Sequence, residues 1–336
     1  MNNRGRTLAS AMVLLSFLAG PASAQRTGDT LTLYFAGDVM QHQSQLDAAY
    51  DSGTRSYDYS RYFKEVRTEI RNATFAVCNL ETTLAGKPYS GYPAFCSPTA
   101  LAQELKDSGF DICLTANNHC LDRGSDGLAR TLDALDGLGL KHLGTYRDST
   151  ARLREHPCFI DWNGWRIALL SYTYGTNGIK VRAPRVVNYI DTAAIVADIS
   201  RARYLGADMI IACMHWGTEY RLQPDNSQLS TEKWLYSHGV DHIIGGHPHV
   251  IEPVTEYRAD GKLTHLTVWS LGNYISGMKA PDTDRGLGIT LFLADDGTGR
   301  PHLVRYSLHG NRTVKPDFHV VSDQTSVPAV NAVSLH

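Results

Sequence analysis

Two histidines separated by a single residue are the first side chains in this sequence whose types and spacing suit chemistry. His247 and His249 follow the apolar and glycine-rich run 243–246, which is typical of a buried strand that ends in a turn. In an extended segment alternate side chains share one face, so both imidazoles can point at the same place. Converging neutral imidazoles are typical of a metal site. A polar loop that happens to contain histidine is the alternative interpretation of this pair.

Polar residues also follow four other apolar runs, which the sequence predicts to be strands over 31–36, 74–78, 111–115 and 208–213. In open α/β sheets, sites lie beyond the carboxyl ends of the strands, so these residues would meet in one place. Carboxylate, amide and imidazole donors together favour Mn, Fe or Zn over Ca, and we predict one or two such ions. The residues at the strand ends are Asp38, Asn79, Glu81, Asn118, His119, His215, His247 and His249.

A loop over residues 173–189 is the candidate for substrate binding. It carries three basic residues and no acidic residue, and positive charge beside a metal favours an anionic substrate. A solvated loop without a binding role would have the same composition. The candidate substrate-binding residues are Tyr174, Asn177, Lys180 and Arg185.

The order of predicted elements indicates an α/β fold in a single domain over residues 25–315. Helices are predicted over 59–70, 99–108, 125–138, 191–204 and 227–237, with Ser125 as an N-cap. Asn163-Gly164 predicts a hairpin, and antiparallel strands follow residue 253. Strands that alternate with helices and then pair as hairpins predict two mixed sheets packed face to face with helices outside.

The sequence predicts a signal peptide at the N-terminus and a loosely ordered tail at the C-terminus. Residues 1–24 contain Arg4 and Arg6, a short apolar run and small residues up to Ala24. This pattern predicts a signal peptide cleaved after Ala24 and export to the periplasm or the cell exterior. Residues 316–336 show no pattern, and we predict a loosely ordered tail.

Composition excludes some partners. The 336 residues have a formal net charge of −2, so no basic field suggests nucleic acid. Beyond the signal peptide, we predict no transmembrane segment, because other apolar stretches are too short. An exported chain with six cysteines permits disulfides, but several cysteines lie in apolar strand-like runs, and we expect few or none.

Five short motifs occur in one order between about residue 31 and residue 293: Gly37-Asp38, Asn79-Leu80-Glu81, Asn117-Asn118-His119, His215-Trp216-Gly217 and Gly246-His247-Pro248-His249. In this order they resemble the CapA family of poly-γ-glutamate capsule-synthesis proteins, which is similar to the calcineurin-like metallophosphoesterases. The resemblance implies a four-layer α-β-β-α metallophosphatase-like sandwich. It also implies a role in capsule or poly-γ-glutamate biosynthesis or processing.

The resemblance further implies roles for the matched positions. His119 would be the catalytic proton donor to a leaving group, and Glu81 would bridge two metal ions. The remaining metal ligands would be Asp38, Asn118, His215, His247 and His249. Two positions depart from the pattern, because Met40 replaces a histidine, for which His42 is a possible substitute, and Glu81 replaces an aspartate.

Two functions fit this sequence. The first is an exported metal-dependent hydrolase that acts on an anionic polymer or a small anionic substrate of the cell envelope. The second is a non-catalytic component of capsule assembly that binds the polymer together with other capsule-synthesis proteins. Metal content together with hydrolysis of a generic phosphodiester separates the two.

Overall fold

The computed structural model describes residues 30–295 and 297–334, and the predicted signal peptide lies outside the described residues. One mixed sheet has eight strands, with β15 (Asn273–Ile275) pairing beside the end of β1. Its other strands are, in spatial order, β18 (His319–Ser322), β17 (Pro301–Val314), β16 (Arg285–Asp295), β1 (Leu31–Val39), β4 (Phe75–Leu80), β5 (Ile112–Leu114) and β6 (Lys141–Leu143).

The second mixed sheet has seven strands. In spatial order they are β19 (Val330–Ser334), β13 (Val254–Ala259), β14 (Lys262–Val268), β12 (His242–Gly246), β11 (Met209–His215), β9 (Trp165–Thr173) and β8 (Cys158–Trp162). Two small pairs join β2 (Tyr50–Asp51) to β3 (Ser56–Tyr57) and β7 (Thr145–Tyr146) to β10 (Val186–Val187).

Seven α-helices cover the outer faces of the sheets in the described part of the chain. They are α1 (Gln43–Ala49), α2 (Arg67–Arg71), α3 (Thr99–Ser108), α4 (Gly124–Leu138), α5 (Ser149–Glu155), α6 (Thr192–Tyr204) and α7 (Asn226–Ser237), with a short 3-10 helix at Gln324–Ser326. Within the described ranges, no helix has both the length and the apolar character needed to cross a membrane.

Three apolar layers hold this arrangement together. The central layer lies between the sheets and contains Leu33 of β1 and Ile211 of β11. A second layer packs α3 and α4 on the first sheet, and a third packs α6 and α7 on the second sheet. Successive side chains of a strand point to opposite faces, so strands covered on both sides are almost continuously apolar. The predicted four-layer α-β-β-α sandwich of two mixed sheets is therefore confirmed.

Two helix predictions need correction. Of the helix predicted over 59–70, only α2 forms. The preceding residues instead make successive turns closed by hydrogen bonds between residues three apart, such as the one from Tyr62 N to Tyr59 O at 2.9 Å. Those turns repeat buried side chains about every three residues, which resembles helical spacing. Ser125 is not the N-cap of α4, which begins at Gly124, and its hydroxyl accepts a hydrogen bond from Arg182 N instead.

The prediction of a loosely ordered tail over 316–336 is wrong for the described residues up to 334. β18 pairs antiparallel with β17, and β19 pairs parallel with β13. Phe318 and Val320 are buried. The sequence pattern was weak because these strands are short and β19 is an exposed edge strand. The six cysteine thiols are free and buried.

Candidate metal centre

The predicted metal-binding side chains lie at the carboxyl ends of strands from both sheets. The parallel register of β1 and β4 places Asp38 opposite Asn79. In the other sheet, the parallel register of β11 and β12 places His215 opposite Gly246, and the His-Pro-His segment follows directly. The site therefore lies where the two sheets meet.

Five of the predicted ligands converge around one carboxylate. Asp38, Glu81 and His215 have ligand atoms within 4.8 Å of one another, and so do Glu81, His247 and His249. Both groups include Glu81, so its carboxylate lies between two potential ion positions. This placement suits a bridging ligand, and it also permits a single ion bound by part of the set.

Glu81 shows most clearly that the residues fit a metal ion. Its side chain is fully buried, and neither carboxylate oxygen accepts a hydrogen bond from any described residue. Burial and then the nearby Asp38 carboxylate raise its pKa well above the usual range. A buried carboxylate without partners costs several kcal/mol, which a bound cation would offset.

Asp38 is held as a carboxylate by its neighbours. Asn79 Nδ2 donates to its Oδ1 at 2.7 Å, and the backbone N–H of His247 donates to its Oδ2 at 3.2 Å. Burial alone would raise its pKa, but His249, His215 and Asn79 lower the pKa to about 2. Asp38 therefore offers negative charge throughout the physiological pH range.

His215 and His247 are neutral and offer nitrogen lone pairs. Burial and the neighbouring His247 hold the pKa of His215 well below its usual range, and burial and His249 lower the pKa of His247 to about 3. His215 Nε2 and Asn118 Oδ1 lie 2.9 Å apart, so both ligand atoms face the same place. His247 Nδ1 is buried without a hydrogen-bond partner among the described residues.

The two histidines after β12 converge by a different route from the one expected. Their backbone is not extended, because φ is +101° at His247 and +59° at His249. The centres of their rings nevertheless lie 5.8 Å apart. Non-glycine residues at positive φ cost on the order of 1–3 kcal/mol each and persist where the surroundings impose them, often at functional sites.

His119 lies beside this cluster with its own carboxylate partner. Its Nδ1 is 2.7 Å from Asp122 Oδ2, which also accepts the backbone N–H of Phe95 at 2.7 Å. The ring of Phe95 packs edge-on against the imidazole, with the ring centres 4.5 Å apart. This arrangement orients the ring through Nδ1 and leaves Nε2 for proton transfer. The sequence interpretation missed Asp122, although its spacing of three residues from His119 was visible.

The structure separates the four candidate substrate-binding residues into two pairs. The Tyr174 ring centre lies 4.5 Å from that of His247, and Asn177 Oδ1 accepts a hydrogen bond from Asn118 Nδ2 at 3.3 Å. Lys180 is exposed, and the Arg185 guanidinium donates to the Arg147 carbonyl at 3.1 Å. The tyrosine and the asparagine are thus at the centre, whereas Arg185 is directed to the backbone just after β7.

Met40, at the position where the related enzyme pattern has a histidine, is a packed side chain. Met40 is 1% exposed, and its sulfur lies 3.9 Å from Ser276 Oγ. His42 accepts a hydrogen bond at Nδ1 from the Gly277 N–H at 3.2 Å, and it belongs to neither ligand group found among the described residues. Asn273, which the sequence interpretation did not assign to the site, places its Oδ1 3.1 Å from His249 Nδ1.

Comparison with known proteins places this chain in a family. Residues 32–278 match the family model described as "Bacterial capsule synthesis protein PGA_cap". The chain belongs to this family. The "PGA biosynthesis protein CapA" of Bacillus subtilis is 30% identical over 291 residues, which cover 84% of this chain and 72% of that protein. The family resemblance found in the motif order is therefore confirmed.

A second relative and a solved structure extend the comparison. The "Capsule biosynthesis protein CapA" of Bacillus anthracis is 24% identical over 287 residues, and the match spans 81% of this chain but 66% of that relative. The crystal structure of the calcineurin-like phosphoesterase YfkN from Bacillus subtilis aligns over 90% of this chain and 93% of its own, with a TM-score of 0.50 and 16% identity. This structural likeness concerns the fold.

Proposed function

We propose that this capsule-synthesis family member is a metal-dependent hydrolase that acts on an anionic substrate of the cell envelope. The observation that carries the proposal is Glu81, whose buried oxygens accept no hydrogen bond from described residues and belong to both ligand groups. Such a carboxylate is costly in a protein without a cation.

The proposed ligands are Asp38, Glu81, Asn118, His215, His247 and His249, and they would hold one or two ions of Mn, Fe or Zn. When bound, such an ion polarises an anionic substrate and lowers the pKa of water at the site. His119, oriented by Asp122, would give its proton to the departing group. Tyr174 and Asn177 would contact the substrate beside the centre, with Lys180 and Arg185 farther out along the loop.

The substrate class follows from the family rather than from the geometry. The Bacillus subtilis relative is named for biosynthesis of PGA, and this chain shares its family. We infer that poly-γ-glutamate or another anionic capsule component supplies the substrate, and that other capsule-synthesis proteins are partners.

We also propose that the chain is exported, because residues 1–24 have the charge, the apolar run and the small residues of a signal peptide. N-terminal sequencing of protein from an exported fraction should begin at Gln25. Soluble cytoplasmic protein that retains Met1 would contradict export.

A pair of adjacent substitutions tests the hydrolase. His119→Ala should keep its metal and lose roughly 10²–10⁴-fold in turnover of a chromogenic phosphodiester with added Mn²⁺. Asn118→Ala should lose metal affinity as well as turnover, because its amide oxygen faces the same place as His215 Nε2. Full activity of His119→Ala across pH would contradict the proton-donor role.

The second candidate function is a polymer-binding component without catalysis. It is favoured by Met40, a buried thioether at the position where the related enzyme pattern has a metal-binding histidine. If the parent protein hydrolyses no phosphoester with Mn, Fe or Zn, this second function takes precedence over the first.

A further inference from the structure

Three exposed tyrosines from three different loops lie near the metal centre, and we call Tyr92, Tyr174 and Tyr220 the tyrosine rim. They are 74%, 48% and 48% exposed, respectively. Aromatic rings of this size are usually more buried, and exposed ones grouped at one site often mark a binding surface.

Each rim ring lies against a different part of the centre. The Tyr174 ring centre is 4.5 Å from that of His247, and the Tyr220 ring centre is 6.4 Å from that of His249. The backbone N–H of Tyr220 donates to the Pro248 carbonyl at 2.8 Å, which fixes its loop to the His-Pro-His segment.

The third rim residue comes from the proline-rich loop on the side of His119. The Tyr92 ring centre lies 6.2 Å from that of Phe95, and Phe95 packs directly on His119. The backbone N–H of Phe95 is anchored by Asp122 at 2.7 Å, so this loop is tied to the proton donor. The rim therefore borders the site on several sides.

An acidic residue, Glu219, lies next to this rim. It is exposed, directly precedes Tyr220, and forms no ion pair with a lysine or arginine of the described residues. Its charge adds to burial in raising the pKa of Tyr174, and it adds to burial and Asp38 in raising the pKa of Glu81. Burial and Glu219 together raise the pKa of Tyr220 to about 12. Because the neighbouring Tyr220 is bonded to Pro248 and its ring lies beside His249, Glu219 places a negative charge at the rim.

Aromatic faces and a carboxylate at one rim favour one kind of ligand group. A ring face attracts a cation through its quadrupole, most strongly when the cation is partly desolvated. A carboxylate adds a charge-assisted hydrogen bond to an ammonium group and repels a second anion. A substrate whose neighbouring group is a carboxylate would be disfavoured at this position.

We propose that Glu219 and the tyrosine rim bind an ammonium group that the substrate carries beside the anionic group directed at the metal centre. This inference rests on the proposed function, and it narrows the substrate to a zwitterionic compound or to the amino-terminal end of a polymer. The carboxylate-rich interior of a polyglutamate chain does not fit this rim.

The test compares three ligands that share a phosphate and differ in the neighbouring group. Phosphoethanolamine carries an ammonium group, ethyl phosphate carries a neutral one, and phosphoglycolate carries a carboxylate. Calorimetric titration of the Mn²⁺-loaded parent protein should show phosphoethanolamine binding about ten-fold tighter than ethyl phosphate, with phosphoglycolate weakest.

Substitutions at Glu219 should change this order without changing the centre. Glu219→Gln should remove most of the preference for phosphoethanolamine, and Glu219→Lys should favour phosphoglycolate. The matched control is Glu65→Gln, which should keep the parent order. The Glu65 side chain is 57% exposed, and its Oε1 lies 3.7 Å from His319 Nε2.

An unchanged order in Glu219→Gln, the absence of any preference in the parent, or no binding of the three ligands would each overturn the inference. The hydrolase proposal fails separately. A protein that ranks the ligands as expected but hydrolyses no ester keeps the ammonium site and loses the catalytic role, whereas an active protein without the ranking shows the opposite.

Discussion

Glu81 is the residue on which the account depends most. Its carboxylate is fully buried, and its nearest imidazole nitrogens, His215 Nε2 and His249 Nε2, are 3.7 Å and 3.8 Å from Oε1. Those distances exceed a hydrogen bond and leave room for an ion between the groups. In the metal-free protein, ionisation of this carboxyl group is therefore costly, and a bound cation would stabilise its charged form.

A substitution at Glu81 should have opposite effects on the stability of the metal-free protein and on metal binding. Glu81→Gln removes the ionisable group and the cost of burying it, and it keeps the shape of the side chain. In EDTA the variant should therefore unfold with a free energy equal to the parent's or about 1–3 kcal/mol higher. Added Mn²⁺ should stabilise the parent and leave the variant nearly unchanged. Thermal unfolding in EDTA and in Mn²⁺ measures both effects. Equal stabilisation of both proteins by Mn²⁺ would contradict the role of Glu81.

The metal-binding candidates could be predicted from the sequence because each one follows an apolar strand. Asp38, Glu81 and His215 could be placed together from strand ends alone. The sequence interpretation did not reach Asp122 or Asn273, because their roles depend on loop conformations that bring them to His119 and His249. It also assigned Arg185 to substrate binding, although the guanidinium donates to a backbone carbonyl instead, because charge alone does not show where a long side chain points.

At the scale of elements, α7 and the segment after the His-Pro-His loop are joined by a buried carboxylate. Glu252 is fully buried and accepts a hydrogen bond at Oε2 from Gln228 Nε2 at 2.7 Å. Gln228 Oε1 also accepts the backbone N–H of Asp225, at the start of α7, at 2.9 Å. These bonds fix the first turn of α7 to the segment that follows the His-Pro-His loop.

This carboxylate should make stability depend on pH in a defined direction. Burial raises the pKa of Glu252 from 4.5 to about 7, although its hydrogen bond from Gln228 opposes the shift. The folded protein keeps the proton to higher pH than the unfolded chain, so stability is lost as pH rises from 4.5 to about 7 and stays constant above.

Glu252→Gln removes this dependence and retains an oxygen for Gln228. Relative to the variant, the parent should lose about 1–3 kcal/mol of unfolding free energy across that window. Urea unfolding of both proteins between pH 4.5 and pH 8 measures the difference. Parallel curves for the two proteins would show that Glu252 ionises normally.

Most helices and strands could be predicted from the local sequence pattern, and the incorrect predictions have local causes. The Asn163-Gly164 hairpin formed because both residues adopt the positive φ that its turn requires, +45° and +81°. The segment before α2 did not form a helix because its buried aromatic residues, including Tyr59 and Tyr62, pack through tighter turns. Periodicity alone does not separate these two conformations.

At the scale of the whole molecule, the C-terminal segment connects the two sheets. β18 extends the edge of the first sheet, and β19 extends the edge of the second. Between them the backbone N–H of Asp323 donates to the Gly310 carbonyl at 2.7 Å. β19 pairs with β13, which lies far earlier in the sequence, and β18 is only a short strand, so neither leaves a strong local signal.

Removal of this segment should destabilise the protein as a whole. A chain that ends at residue 316 loses two buried side chains, Phe318 and Val320, and should lose at least about 3 kcal/mol of unfolding free energy. The control is Val333→Thr, a β-branched replacement at a 39% exposed position, which should change stability by less than about 0.5 kcal/mol. Chemical denaturation measures both, and unchanged stability of the truncated chain would contradict a structural role.

The central claim is that the strand ends of the two sheets hold a metal ion. Elemental analysis of protein purified without chelators tests it most directly, in the parent, the His247→Ala/His249→Ala double variant and the His142→Ala control. His142 lies outside the ligand groups and is 3.1 Å from Asp136 through its Nε2. We predict one or two ions of Mn, Fe or Zn in the parent and in His142→Ala, and loss of bound metal in the double variant. Equal metal content in the double variant and the parent, or none in either, would contradict the account.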